Sequence, residues 1–346
     1  MRILVTGHLG YIGPIMVRML KAAGHYVTGF DVGYFRECVT DAGSEVKPDR
    51  EIIRDIRDIS LSDVSRHDAT VHLAGLSNDP MGALDPKITN DINYVASMRL
   101  ATLAKQSGHT RFVFASSCSL YGSAGGDRPL NELAPLDPIS AYAQCKAKAE
   151  QGLANLADEN FSPVFLRNAT AYGISPRMRF DLVLNNLMAW AKTTGTIKVL
   201  SDGTPWRPLV HIQDICRAAL AALEAPVALI HNQAFNIGRS DANYTVKDIA
   251  ETVAQTVSGA KVVITGETGG DPRSYRVDFS KAENTLPGFA PEWTVEKGCE
   301  ELNRWFSEGR LGNESFESRF FVRLKQLKYV SENGLVDSAL RPTNPL

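Results

Sequence analysis

Short apolar runs alternate with stretches of helical spacing along the first half of the chain, which predicts a parallel sheet covered by helices on both faces. Ile3-Leu4-Val5, inside the strand-like run Met1 to Thr6, reads as a buried strand. Ile15 to Ala23 carries apolar residues at helical spacing and stops at Gly24. Tyr26 to Phe30 is the next strand. Ala69 to Leu73, Arg111 to Ala115 and Val164 to Arg167 repeat the β pattern, and Ile92 to Gln106 and Ala141 to Asp158 carry the helical one. From about Ala169 the pattern loosens and Pro and Gly scatter through it. This predicts an α/β chain: a Rossmann-like, doubly wound domain over 1–168, then a smaller, mixed C-terminal substrate lobe over most of 169–310. Strands near 208–238 are expected to return to the first domain, and 311–346 to form a helical tail. The basic amphipathic stretch Phe320 to Tyr329 in that tail reads as a packing helix, with an oligomer contact as the alternative.

Length and charge narrow the possibilities. At 346 residues the chain holds two domains, or one large α/β unit with a lobe. A net charge of −2 gives no reason to expect nucleic acid or a membrane surface as partner. No apolar run approaches the roughly 18 residues of a membrane-spanning helix, and no signal-peptide architecture precedes the first strand. The five cysteines, Cys38, Cys118, Cys145, Cys216 and Cys299, are scattered without metal-ligand spacing. They read as reduced thiols in a cytoplasmic protein that holds no metal.

The first chemistry lies between the first strand and the first helix, in Gly7-His8-Leu9-Gly10-Tyr11-Ile12-Gly13. Glycines suit this place because the turn is tight and the backbone must come close to a pyrophosphate. The helix N-terminus then presents unpaired N–H groups to phosphate, and Pro14 fits its first turn. Asp31 ends the second strand at the spacing expected for a carboxylate that binds a ribose 2′-OH. It would repel a 2′-phosphate, which favours NAD over NADP; Arg36 is the nearby residue that argues otherwise. Gly7, Gly10, Tyr11, Ile12, Gly13 and Asp31 are therefore candidate NAD-binding residues.

Tyr142 and Lys146 stand four residues apart on a predicted helix and so share a face. A lysine cation near a phenol lowers its pKa and lets it act as a base near neutral pH. Upstream, Ser116, Ser117 and Ser119 follow the strand Phe112-Val113-Phe114, at the strand end where open α/β sheets bind ligands. Alone, Tyr-x-x-x-Lys is a common surface pair; after a dinucleotide fingerprint and a serine-rich strand end it is not.

Together these motifs resemble the extended short-chain dehydrogenase/reductase family, in its NAD-dependent nucleotide-sugar epimerase/dehydratase branch. The likeness covers most of 1–305, and the 4-epimerase pattern aligns most readily. By that resemblance Ser117 polarises the sugar oxygen, Tyr142 is the base, and Lys146 tunes it and holds the nicotinamide ribose. Asp55 and Ile56 would touch adenine, and Leu73, Ala74 and Gly75 would line the pyrophosphate and ribose. Asn93 would brace the catalytic helix or the cofactor, with a helix-start cap as the alternative. In the second lobe, Asn186 and Arg207 match positions that bind the substrate diphosphate, for which an arginine fork is well suited. Ser119, Arg273 and Arg276 join them as candidate substrate contacts, while Trp206 reads as packing. The resemblance also implies a homodimer through the helices Ile92–Gln106 and Ala141–Asp158.

The departures concern the substrate. An arginine of the 4-epimerase pattern falls at Thr268, a lysine at Ser77 and an asparagine at Thr170. The acidic pair by which 4,6-dehydratases eliminate water is here Cys118 and Ser119. The cysteine of 3,5-epimerases falls at Ser119. Cys118, one place off, reads as a buried thiol facing away from the sugar, and Cys145 reads as packing. His72 reads as a satisfied core histidine. The expected activity is nucleotide-sugar epimerisation, with C4 as the reacting carbon. An NAD-linked dehydrogenase, ketoreductase or dehydratase on a nucleotide sugar is the second reading, and a dinucleotide sensor without turnover the third.

Overall fold

Seven parallel strands make the main sheet of the computed structural model, which describes residues 1–40, 43, 45–77, 79–122, 128–267 and 273–344. The strands are β1 (Arg2–Thr6), β2 (Tyr26–Asp31), β3 (Arg50–Ile53), β4 (Ala69–His72), β5 (Arg111–Ser117), β6 (Ser162–Asn168) and β10 (Gln233–Ile237). Their order is β10-β6-β5-β4-β1-β2-β3. Strand side chains alternate between faces, so Ile3 and Val5 pack on one side and Leu4 on the other. All three are fully buried, which explains why the segment is a continuous apolar run. On the Ile3/Val5 side lie α1 (Gly13–Ala22) and α5 (Ile212–Glu224). On the Leu4 side lie α2 (Ala96–Gln106) and α3 (Ala141–Leu156).

The edge strand β3 was not signalled by the alternation. Its sequence is Arg-Glu-Ile-Ile, and an outermost strand tolerates the two exposed charged residues. The helix expected over Ile92–Gln106 starts earlier, with a turn at Pro86–Asn90 capped by Asp85, and passes through a π-turn at Asp91–Val95 before α2 begins. Asn93 lies in that turn, so it is not a helix-start cap.

The second lobe holds a three-stranded sheet ordered β11 (Asn243–Thr245), β9 (Trp206–His211) and β7 (Thr170–Tyr172), and a parallel pair, β12 (Lys261–Ile264) with β8 (Thr196–Val199). β9 pairs antiparallel with β11 and parallel with β7. Within 208–238, β10 joins the main sheet beside β6, whereas β9 belongs to the small sheet and does not return. The crossover helix α5 joins the two. In the tail, α8 (Arg323–Glu332) buries Leu327 and Val330 in the same cluster as Tyr34, Ile56 and Met81. It is a packing helix. Among the described residues no helix is long and apolar enough to cross a membrane.

His72 sits at the end of β4, fully buried between the hydroxyls of Thr6 at 2.6 Å and Ser97 at 2.7 Å. Burial, helped by the charge of Lys146, pushes its pKa down to about 3 from an ordinary 6.5. Between those values the unfolded chain binds a proton that the folded chain refuses, so stability falls as pH falls from 6.5 toward 3. One such proton is worth about 1.4 kcal/mol per pH unit. Urea unfolding across pH 6.5 to 4.5 should show this slope, reduced by about one proton in His72→Asn.

Candidate functional site

The C-terminal edge of the main sheet opens into a cavity of about 690 Å³. Gly7, Gly10, Tyr11, Ile12, Gly13, Asp31, Asp55, Ile56, Leu73, Ala74 and Gly75 line one part of it. Ser117, Ser119, Tyr142, Lys146, Asn186 and Arg273 line another. The glycine loop is tightly seated. Gly7 has φ of 77°, and a Cβ there would stand 2.7 Å from the Ala74 nitrogen. A Cβ on Gly13 would stand 2.3 Å from the His8 carbonyl oxygen. Backbone therefore occupies the space that side chains would take, and the loop leaves a cradle bare enough for a dinucleotide phosphate. Asp31 accepts the N–H groups of Leu9 at 3.0 Å and Gly33 at 2.8 Å, which fixes its carboxylate at the cavity wall. Asp55 is held by Arg57 through bonds at 2.9 and 3.0 Å. Tyr11 donates its hydroxyl to the Gly173 carbonyl and accepts from Asn185, so it ties the loop to the second lobe.

Asn93 is not among the residues that line the cavity. Its amide clamps the backbone of Leu76, accepting from the N–H at 2.8 Å and donating to the carbonyl at 3.0 Å. It braces the loop after β4, because the π-turn aims it there.

Ser140 caps α3 by accepting from the Ala143 N–H at 3.1 Å and donates its hydroxyl to Asp79. The cap places Tyr142 in the first turn, with Lys146 below it on the same face. Lys146 donates to the Ala115 carbonyl at 2.6 Å, and its Nζ lies 5.8 Å from the centre of the Tyr142 ring. Burial pushes Lys146 down to about 8. Burial also pushes the Tyr142 phenol up to about 12, opposed by a hydrogen bond with Ser117 and the charges of Arg179 and Arg273. The sequence suggested Lys146 as the cation beside Tyr142; Arg179 and Arg273 add positive charge toward the phenol, and Lys146 also bonds the strand carbonyl.

Two groups of this site carried no sequence signal. Arg179, almost fully buried, pairs with Asp181 at 2.8 Å and donates to Ser77 at 3.1 Å. Asp79 pairs with Arg273 at 2.6 Å. Both join residues far apart in the chain, and no local spacing announces them.

Among the expected substrate residues, Asn186, Ser119 and Arg273 line the cavity, as do Ser77 and Thr170. Asn186 donates to the Phe180 carbonyl at 2.8 Å. Arg207 and Arg276 are not among the lining residues. Arg207 donates to the carbonyls of Trp206 and Arg273, and Arg276 lies over the Trp206 ring at 5.1 Å. Thr268 lies outside the described residues. Cys118 points away from the cavity and donates to the Arg167 carbonyl at 3.1 Å; burial pushes its thiol up. Among the described residues no cluster of three His, Cys, Asp or Glu side chains could hold a metal.

A glycine-cradled dinucleotide groove beside a Ser/Tyr/Lys set defines an extended short-chain dehydrogenase/reductase. Residues 3–238 match the NAD dependent epimerase/dehydratase family, and the chain belongs to it. UDP-glucose 4-epimerase 4 of Oryza sativa subsp. japonica is 27% identical over 350 residues, spanning 91% of this chain and 93% of its own. UDP-glucuronate 4-epimerase of Thermodesulfobacterium geofontis is 27% identical over 323 residues, spanning 88% and 96%. The crystal structure of UDP-glucuronic acid 4-epimerase from Bacillus cereus in complex with UDP-glucuronic acid and NAD is similar, with a TM-score of 0.76 at 25% identity. That match covers 89% of this chain and 99% of the other. The cofactor is NAD.

The tight seat of Gly7 yields a test. In Gly7→Ala the added methyl meets Ala74 backbone in a conformation that costs an L-residue about 1–2 kcal/mol. NAD affinity, measured by calorimetry, should fall by about tenfold or more.

Proposed function

We propose that this chain is a nucleotide-sugar 4-epimerase acting on a UDP-sugar. The observation that carries the proposal is the meeting of Ser117, Tyr142 and Lys146 in one cavity with the glycine loop and Asp31. Bound NAD would be held by the glycine loop and Asp31 and would supply reversible hydride acceptance at the sugar carbon. Tyr142 removes the proton from the hydroxyl on that carbon and later gives one back. Ser117, hydrogen-bonded to Tyr142, polarises the same oxygen as its charge changes. Lys146, at the cavity wall, would hold the nicotinamide ribose. Arg179 and Arg273 bring positive charge toward the phenol and favour its ionised form. Asn186 and Arg273 hold the diphosphate, with Ser119 nearer the sugar. Arg207 supports Arg273 through its carbonyl, which makes it a positioning residue. Arg276, over Trp206, closes the same wall.

The names of the relatives support both the uridine diphosphate and the fourth carbon. Elimination of water is disfavoured, because Cys118 faces the Arg167 carbonyl and Ser119 offers no carboxyl group. The proposal extends to a cytoplasmic homodimer joined through α2 and α3, on the resemblance of that helix pair.

The test is conversion of UDP-glucose and UDP-glucuronic acid by the purified enzyme, with Tyr142→Phe beside it. General acid–base help is worth about 10²- to 10⁴-fold, and kcat of Tyr142→Phe should drop by that range while sugar-nucleotide binding persists. A variant that keeps most of its turnover would remove Tyr142 from the reaction.

A further inference from the structure

Three described arginines line the cavity: Arg179, Arg273 and Arg323. The first two pair with carboxylates, Asp181 at 2.8 Å and Asp79 at 2.6 Å. Arg323 is different. It belongs to the tail helix α8, beyond the region 3–238 that matches the family. Its side chain is 1% exposed, the largest among the fully buried ones. Its guanidinium donates to the carbonyls of Arg177 at 2.8 Å and Phe320 at 3.2 Å, and lies 4.8 Å over the Phe35 ring. Among the described residues no carboxylate pairs with it. Desolvation lowers its pKa to about 10, with Asp181 and the Cys38 thiol opposing.

A buried cation bonded to neutral carbonyls, with no paired carboxylate, is costly, and a bound anion would offset that cost. The cavity that Arg323 faces is the one that takes a dinucleotide, whose only anionic group is its diphosphate. We propose that Arg323 is a cofactor-binding residue whose guanidinium takes the diphosphate of bound NAD. The planar fork of donors suits phosphate oxygens, and a dry site strengthens the pair.

The rest of the tail is built to keep that contact in place. Gln326 donates to the Tyr34 carbonyl at 3.0 Å, and the Tyr34 hydroxyl donates to the Leu340 carbonyl. Arg57, which holds Asp55, also donates to the carbonyls of Ala339 at 2.7 Å and Leu340 at 3.1 Å. Leu327 and Val330 pack in one cluster with Tyr34 and Ile56 from one wall of the groove and Leu76 from the other. The tail is therefore packed in one cluster with residues of both walls, which holds Arg323 at the cavity. A resident cofactor is also what the proposed epimerisation needs, since NAD is regenerated in each cycle.

The test compares the purified protein with Arg323→Gln and Arg323→Lys. NAD retained per chain is read by acid release, and the rate of NAD loss by exchange against labelled NAD. Arg323→Gln should lose NAD faster by about tenfold or more, and Arg323→Lys by less, because it keeps charge without the fork. UDP affinity should stay unchanged in both. Loss of UDP affinity with NAD retention intact would assign the guanidinium to the substrate diphosphate, and wild-type NAD retention in Arg323→Gln would overturn the proposal outright. A second measurement does not depend on the variants folding. In wild-type protein stripped of nucleotide, ADP should slow amide hydrogen exchange across 323–332, and adenosine should not. Equal protection by both, or none by either, also overturns it.

Discussion

Glu150 lies two turns below Tyr142 on α3, and its carboxylate reaches across to two strands. It accepts from the Ser116 hydroxyl of β5 at 2.5 Å and from Arg167 of β6 at 2.7 and 3.1 Å. Both partners of the ion pair are almost fully buried. Arg167 continues to the Tyr121 hydroxyl at 3.2 Å, which bonds Asn236 of β10 at 2.7 Å. A buried pair of this kind is no guarantee of stability, since both charges lose their water. Its geometric effect is clearer. One carboxylate fixes the distance between the helix that carries Tyr142 and Lys146 and the strand end that carries Ser117. Removing either partner would leave the other charged and buried, at a cost of about 3–5 kcal/mol.

The dinucleotide groove depends on a second fixed distance. The sheet order reverses between β1 and β4, and ligands of open α/β sheets bind where the order reverses. Gly7 follows β1 and Ala74 follows β4, and the two backbones touch there because Gly7 has no side chain. The loop after β4 is clamped by Asn93, the loop after β1 by Tyr11. The cofactor groove and the proton-transfer groups thus share one rigid edge, while the small lobe supplies Asn186 and Arg273 from the far side.

What the sequence revealed follows the range of the interactions involved. The glycine loop, Asp31 and the Tyr142/Lys146 face are local patterns, and each lines the cavity. Ser117 and Ser119 were legible as hydroxyls at the end of an apolar strand. Asn93 was visible as a candidate, but its partner was not, because the Leu76 backbone it clamps lies 17 residues away in the chain. β3 was missed because two of its four residues are charged. Arg207 matched a phosphate-binding position, yet it is not among the lining residues and donates to carbonyls of its own wall. Arg179 and Arg323 gave no signal. Arg179 meets Asp181 and reaches Ser77, whereas among the described residues no carboxylate pairs with Arg323, and only tertiary structure shows that.

In the proposed reaction one carbon of the sugar loses its hydrogen as hydride within the enzyme and recovers the same hydrogen. The direct measurement uses a UDP-sugar deuterated at C4, converted to equilibrium in ordinary water and analysed by NMR. Full retention of deuterium at C4, with none exchanged at C3 or C5, is predicted. Washout of the C4 label, or solvent hydrogen entering at C3 or C5, would contradict the account and point to enolising chemistry.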